Sequence, residues 1–189
     1  LKFRFETLLI FSKTMQIKHC LVIMPLADLG IMICHEDRCF PIEASHRSLC
    51  RRLYQEIKDL PIISPHGHTD PAWFSRNDNF TDPSSLMISP DHYLFRMLYS
   101  QGVSLEELGI GQNLEAREIW RKFASFYYLF RATPCRLWLD HVFQEVFGLE
   151  KPLNGDTSDF YFDVISEKLS QDEFRPRQLF DRFRIEALS

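Results

Sequence analysis

The feature that most constrains the fold is the placement of strand signals. Pro61-Ile62-Ile63-Ser64 is a short apolar run that enters a loop closed by Thr69-Asp70-Pro71, and it reads as a buried strand. Polar and apolar residues alternate again only at 184–189, where Ile185, Ala187 and Leu188 are apolar. Everything between those two segments carries helix or loop signals. Two strands cannot form an independent sheet of any size, so the chain is expected to be mainly α-helical, with two short strands that belong to a larger sheet.

The helix signals are specific. Ser45 can cap a first helix whose Leu49, Leu53 and Ile57 fall on one face at i, i+4 and i+8. Asp70 before Pro71 is a helix-start signal, and residues 75–88 read as loop. Ser89-Pro90-Asp91 predicts a helix capped by Ser89 that stops at Gly102. Ser104 and Glu107 match a capping box. Asn113 can cap a helix carrying Ile119, Trp120, Phe123, Phe126, Tyr127 and Phe130. Thr133-Pro134 repeats the cap-plus-proline signal, and Val142, Val146 and Leu149 share a face. Asp156 or Thr157 starts a further helix to about Leu169, followed by one over 176–183.

Composition sets the class. At 45% hydrophobic and 25% charged, the chain has the balance of a folded, cored protein. A net charge of -4, with no Lys/Arg run and no Gly-rich phosphate loop, argues against a nucleic-acid partner. The five cysteines are odd in number and include no C-x-x-C pair, which suits reduced thiols better than a disulfide framework. Residues 1–34 read as an unmatched N-terminal extension outside the functional fold. Their apolar run from Cys20 to Cys34 is interrupted by Pro25, Asp28 and Gly30. It falls short of the roughly 18–20 apolar residues that cross a bilayer, so no membrane partner is expected.

One constellation carries chemistry. On a strand, residues two apart point to the same side, so His66 and His68 would share a face with Gly67 between them. Two imidazoles at that spacing can chelate one divalent cation. An H-x-H pair also arises by chance in surface turns, and here the preceding apolar strand start favours the metal reading. Further along, Tyr93 and Arg96 are three apart on a predicted helix and share a face. Arg96 could present its planar fork to a carboxylate, or it could brace the helix through a salt bridge. His92 could support a neighbouring site residue but reads more readily as an ordinary histidine, Asp70 as a helix cap, and Asp140 and His141 as members of a solvated helix face.

The stretch Leu60-Pro-Ile-Ile-Ser-Pro-His-Gly-His-Thr-Asp-Pro71 resembles the first barrel strand of the uronate (glucuronate) isomerases, metal-dependent enzymes of the amidohydrolase superfamily. The resemblance extends upstream through His35-Glu-Asp-Arg-Cys-Phe-Pro41 and Arg51-Arg-Leu-Tyr54. Downstream it takes in Asp91-His92-Tyr93-Leu94-Phe95-Arg96, Phe126-Tyr-Tyr-Leu-Phe-Arg131, Trp138 and Phe147-Gly148. It covers residues 35–189.

The resemblance implies an α/β fold: the N-terminal part of a (β/α)8 TIM barrel with a large helical insertion between strands 1 and 2. Residues 35–74 would be the N-terminal segment and first strand, 75–183 the insertion, and 184–189 the start of a second strand cut short. It implies that His66 and His68 are two ligands of a divalent metal, zinc, and that Tyr93 is catalytic and, with Arg96, substrate-binding. It implies hexuronate substrates, D-glucuronate to D-fructuronate and D-galacturonate to D-tagaturonate, by proton transfer through a cis-enediol in the cytoplasm. A complete barrel needs roughly 200–250 residues. The family's later metal-binding carboxylate and later substrate-binding arginine and histidine have no position here, so the chain alone is expected to be an incomplete piece without turnover. An open strand edge in such a piece invites self-association. Two other readings stand beside this one: a metal-dependent hydrolase of the same superfamily, which would use the same histidine pair, and an inactive truncated helical fragment.

Overall fold

The computed structural model describes residues 33–67 and 69–188. The extension expected over 1–34 therefore lies outside the described residues, apart from its last two. Cys34 itself is buried, and its backbone N–H donates to Gln144 Oε1 at 2.9 Å.

Helix α1 (Ala44–Ile57) leads through a turn into β1 (Ile62–Ser64). Helices α2 (Pro71–Arg76), α3 (His92–Ser100), α4 (Ala116–Ser125), α5 (Pro134–His141), α6 (Ser158–Leu169) and α7 (Pro176–Arg182) follow, and the chain returns as β2 (Ile185–Leu188). β1 and β2 pair in parallel, Ile62 with Ile185 and Ser64 with Leu188, with a bulge after Ile62. Parallel neighbours require a crossover, and here the crossover is the entire helical run.

Aromatic residues make the centre of that run. Ile119, Trp120, Phe123 and Ala124 form the buried face of α4. Trp120, Tyr127 and Tyr161 surround Phe143, with ring centroids 6.1, 6.0 and 5.1 Å away. These offset and edge-on arrangements are the ones that π quadrupoles favour. The Trp120 indole N–H donates to the Ser158 carbonyl at 3.0 Å, so its one polar atom is satisfied within the core. On the outer side, Arg117 and Arg121 of α4 reach Asp159 and Asp163 of α6.

Several local signals hold. Asp70 caps α2 through Ala72 N, and Thr133 caps α5 through Arg136 N. Ser104 and Glu107 make both hydrogen bonds of a capping box, at 3.3 and 3.0 Å. Gly102 and Gly109 take left-handed φ where their helices stop.

Other expectations are corrected. Ser45 does not cap α1: Glu43 occupies that position with no side-chain bond, and the Ser45 hydroxyl donates to the Glu43 carboxylate. Residues 75–88 are not all loop, because α2 runs to Arg76 and Ser84–Ile88 form a π-helical turn that buries Leu86, Met87 and Ile88. That turn draws Ser89 into helical φ/ψ, its N–H bonding to Ser84 O, so α3 is capped by Asp91 instead. Glu115, not Asn113, precedes α4. Asp140 is not on a solvated face: its side chain is only 15% exposed, accepts from the Tyr127 hydroxyl at 2.9 Å and pairs with Arg136 at 2.7 Å. The Arg136 guanidinium also lies 4.1 Å over the Tyr127 ring. Finally, Leu49, Leu53 and Ile57 share a face of α1 as their spacing requires, but that face is exposed.

Candidate functional site

The histidine loop begins where β1 ends. Ile62 N donates to Arg184 O at 2.9 Å, fixing the strand start beside β2, while Ile62 and Ser64 are buried. The Ser64 hydroxyl then donates to the carbonyl of His66 at 3.0 Å. That bond folds the chain into a bend across Pro65 and His66, so His66 stands just beyond the strand and not within it. The strand reading placed both histidines on the pleat, where a serine two residues upstream was not expected to turn the backbone. His66 is exposed at the carboxyl end of the strand; His68 lies outside the described residues. Asp70 commits one carboxylate oxygen to Ala72 N at 2.9 Å, which holds α2 directly behind the loop.

Four hydrogen bonds seat α2 and the residues just after it on the far end of the helical run. Asn77, in left-handed conformation, accepts from Arg177 N, and the Arg177 Nε donates to Phe74 O at 2.8 Å. Asn79 bridges Leu169 O at 2.9 Å and Arg175 Nε at 3.0 Å. The loop carrying His66 is thereby held between β1 at one end and the α6–α7 region at the other.

A metal's demands can be set against these donors. A neutral imidazole is a good borderline ligand, and His66 is exposed where an ion could reach it. Among the described residues, however, no group of three His, Cys, Asp or Glu converges. The described residues therefore fit a contribution to a metal site and not a complete one.

The second set sits on α3. Asp91 Oδ1 accepts from Tyr93 N at 2.9 Å and more weakly from Leu94 N at 3.4 Å, anchoring the helix start. Tyr93 is 43% exposed, and its ring stacks on His92 with centroids 4.4 Å apart. Arg96, one turn further on, is exposed, and its guanidinium has no ion-pair or hydrogen-bond partner among the described residues. The structure thus brings Tyr93 and Arg96 together on the exposed face of one helix, and among the described residues no helix-bracing salt bridge engages Arg96.

His92 is half-buried, and its Nε2 is enclosed with no hydrogen-bond partner among the described residues. Native structures rarely leave such an atom unpaired, and the ring's evident role here is to support that of Tyr93. The only sequence signal for it was its place between Asp91 and Tyr93.

Two of the cysteines are poorly suited to nucleophilic chemistry. Burial pushes the thiols of Cys34 and Cys135 up to about 11, in Cys135 with a further rise from the nearby Asp91 carboxylate. Thiols so shifted stay protonated near neutrality and are poor nucleophiles.

A long helical run joins two parallel strands, with an exposed histidine just beyond the first strand and Tyr93 and Arg96 on one inserted helix, so the chain is mainly helical with a single parallel strand pair among the described residues. Comparison with known proteins is consistent with that class. The glucuronate isomerase family matches residues 43–189, and the chain belongs to it. The uronate isomerase of Rhizorhabdus wittichii is 57% identical over 155 residues, covering 82% of this chain and 33% of its own. That of Mesorhizobium japonicum is 55% identical over 159 residues, covering 81% and 34%. The crystal structure of glucuronate isomerase from Caulobacter crescentus superposes with a TM-score of 0.81 at 56% identity, over 82% of this chain and 33% of that one. The uronate isomerase from Thermotoga maritima gives 0.65 at 27% identity, over 71% and 29%. The chain spans about a third of the length of the curated relatives it matches.

Proposed function

We propose that this chain supplies the first two strands and the helical insertion of a metal-dependent uronate isomerase barrel, residues 75–183 forming the insertion. The single observation that carries the reading is the unbroken family match across 43–189, which takes in both the His66 loop and the Tyr93/Arg96 helix. His66 and His68 would hold a divalent cation, zinc being suited to imidazole ligands, with the remaining ligands coming from residues not described here. When bound, such a cation stabilises the oxyanion charge that develops as a sugar carbonyl enolises.

The chain's own groups would supply part of the remaining chemistry. Aldose–ketose isomerisation moves one proton from C2 to C1 and one from O2 to O1 through a cis-enediol, converting the C1 aldehyde to a hydroxymethyl group and the C2 alcohol to a ketone. Tyr93 is placed to hold or pass a proton at a sugar oxygen, since its hydroxyl-bearing ring is exposed and oriented by the stack on His92. Arg96, which is exposed, would offer two parallel N–H donors to the uronate carboxylate. D-glucuronate and D-galacturonate are the substrates on this reading, and their catabolism would set the enzyme in the cytoplasm. No helix among the described residues is long and apolar enough to cross a membrane.

A chimera tests the proposal. Residues 35–189 replace the matched third of the Caulobacter enzyme, and D-glucuronate and D-galacturonate are assayed beside amide and lactone substrates. Isomerisation is expected, lost by more than about 100-fold in His66→Ala and by about 10- to 100-fold in kcat/KM in Tyr93→Phe. Hydrolysis without isomerisation would favour the hydrolase reading, and a folded chimera inert toward every substrate would favour an inactive piece.

A further inference from the structure

Residues 34–40, just ahead of α1, are tied on two sides. Toward α1, Arg51 donates to Asp37 at 2.8 Å, Arg47 approaches the same carboxylate at 3.7 Å, and the Phe40 ring meets Tyr54 edge-on at 6.1 Å. Toward the helical run, Cys34 N donates to Gln144 Oε1 at 2.9 Å, and Arg38 Nη2 lies 2.8 Å from His141 Nδ1 in a half-buried contact. His141 ends α5, and Gln144 belongs to the π-helical turn Val142–Val146 that follows without a break. Residues three apart on such a stretch share a side, so together they receive the strap. A guanidinium has N–H donors and no acceptor. The contact with His141 therefore requires a lone pair on Nδ1, which puts the ring proton on Nε2 and leaves the ring neutral. A second proton, on Nδ1, would remove the acceptor and set two cations 2.8 Å apart.

The charges around this contact relieve little of that repulsion. The strap itself brings the thiols of Cys34 and Cys39, which burial pushes up and so keeps neutral. From α5 comes the Asp140 carboxylate, which already faces the guanidiniums of both Arg136 and Arg38. The π-helical turn brings Glu145, which is exposed to water and accepts from Gln144 Nε2 at 2.9 Å. Tyr127 and Tyr161 behind them are raised by burial and stay uncharged. The other histidine here, His35, accepts at Nδ1 from Asp37 N at 3.1 Å, a bond internal to the strap.

We infer that the Arg38–His141 contact is a pH-sensitive clasp, which holds residues 34–40 on α5 and the turn after it while His141 is neutral and releases them when His141 is protonated. The sign follows from linkage. The docked strap excludes a proton that the released strap admits, so docking is favoured above the ordinary histidine range, at about pH 6.5, and weakens as pH falls through it. The inference concerns how the strap is seated and does not rest on the proposed activity.

The test is amide hydrogen exchange of the full chain, read over residues 34–40 and corrected for the intrinsic effect of pH on exchange. Protection of the strap should fall by about tenfold or more between about pH 7.5 and about pH 5.5, the scale of one charge-assisted hydrogen bond. His141→Gln keeps an acceptor that does not titrate, so its strap should stay protected at both values. Arg38→Met removes the donor and should leave the strap poorly protected at both. His35→Gln should keep the pH response of the parent. Nitrogen-15 NMR of the His141 ring at the higher pH should find its proton on Nε2, a reading that needs no variant to fold. Protection of the parent strap that is the same at both values would overturn the proposal. So would an equal acid loss in His141→Gln, since another group would then be the sensor, and so would a ring proton on Nδ1.

Discussion

Asp140→Ala separates the structure from the surface reading of α5 by a wide margin. On a solvated helix face, removing a carboxylate changes stability by no more than about 0.5 kcal/mol. In the structure the side chain is 15% exposed and has two partners. The Tyr127 hydroxyl, on a fully buried ring, would lose its acceptor, and a hydrogen bond to a charged group contributes about 1.5–3 kcal/mol. Arg136 would lose its carboxylate too, though at 24% exposure it recovers part of that through water. Together these give a loss of about 3 kcal/mol, within the range for breaking a largely buried pair. Urea unfolding at neutral pH measures it, with Tyr127→Phe and the double variant closing a cycle whose coupling should reach about 1–3 kcal/mol. A loss under about 1 kcal/mol for Asp140→Ala would refute the reasoning.

The same carboxylate makes a pH prediction. Burial, opposed by Arg136, raises its pKa above the ordinary 3.8. The native state therefore holds the proton more tightly than the unfolded chain does. The proton-linked part of what Asp140 contributes is complete below 3.8 and declines as pH rises through the folded value, leaving at neutral pH the bonds that the carboxylate makes. Measured against Asp140→Asn, which does not titrate, the parent should lose relative stability across that window. A relative gain with rising pH would reverse the sign of the argument.

Two further outcomes follow from packing. Phe143→Ala, at the centre of three aromatic rings and fully buried, should cost about 3–5 kcal/mol in the same unfolding assay, and Phe143→Leu markedly less. Gly109→Ala should cost at least about 1–2 kcal/mol, because Gly109 has φ +73° and an added Cβ would meet Ile119 Cδ1 at 2.5 Å; a neutral result would mean that this turn can rearrange.

Much of the fold was legible because local rules and packing agree in it. The Ser104/Glu107 box, Asp70-Pro71 and Thr133-Pro134 each satisfy orphan helix N–H groups within a few residues, so no tertiary knowledge is needed to read them. Where the reading failed, a distant contact decided. Asp140 looks solvated until the Tyr127 hydroxyl is brought over it, and Ser89 looks like a cap until the buried Leu86-Met87-Ile88 turn pulls it into helical conformation. Leu49, Leu53 and Ile57 were legible as an apolar face, but spacing does not say what covers it. The site was legible as residue types: the histidine spacing and the Tyr93/Arg96 pair mark the chemistry. The bend that places His66 beyond the strand depends on one Ser64 hydroxyl, and the unpaired His92 Nε2 on burial, neither of which periodicity reports.

Calorimetric titration of zinc into this chain beside His66→Ala/His68→Ala decides whether the loop after β1 supplies two ligands to a metal site, as proposed. Weak, saturable binding by the parent is expected, as two ligands of an incomplete site should give, and its loss in the double variant with the urea midpoint unchanged. Binding of equal strength in both, or none in the parent, would mean that the histidine pair holds no metal.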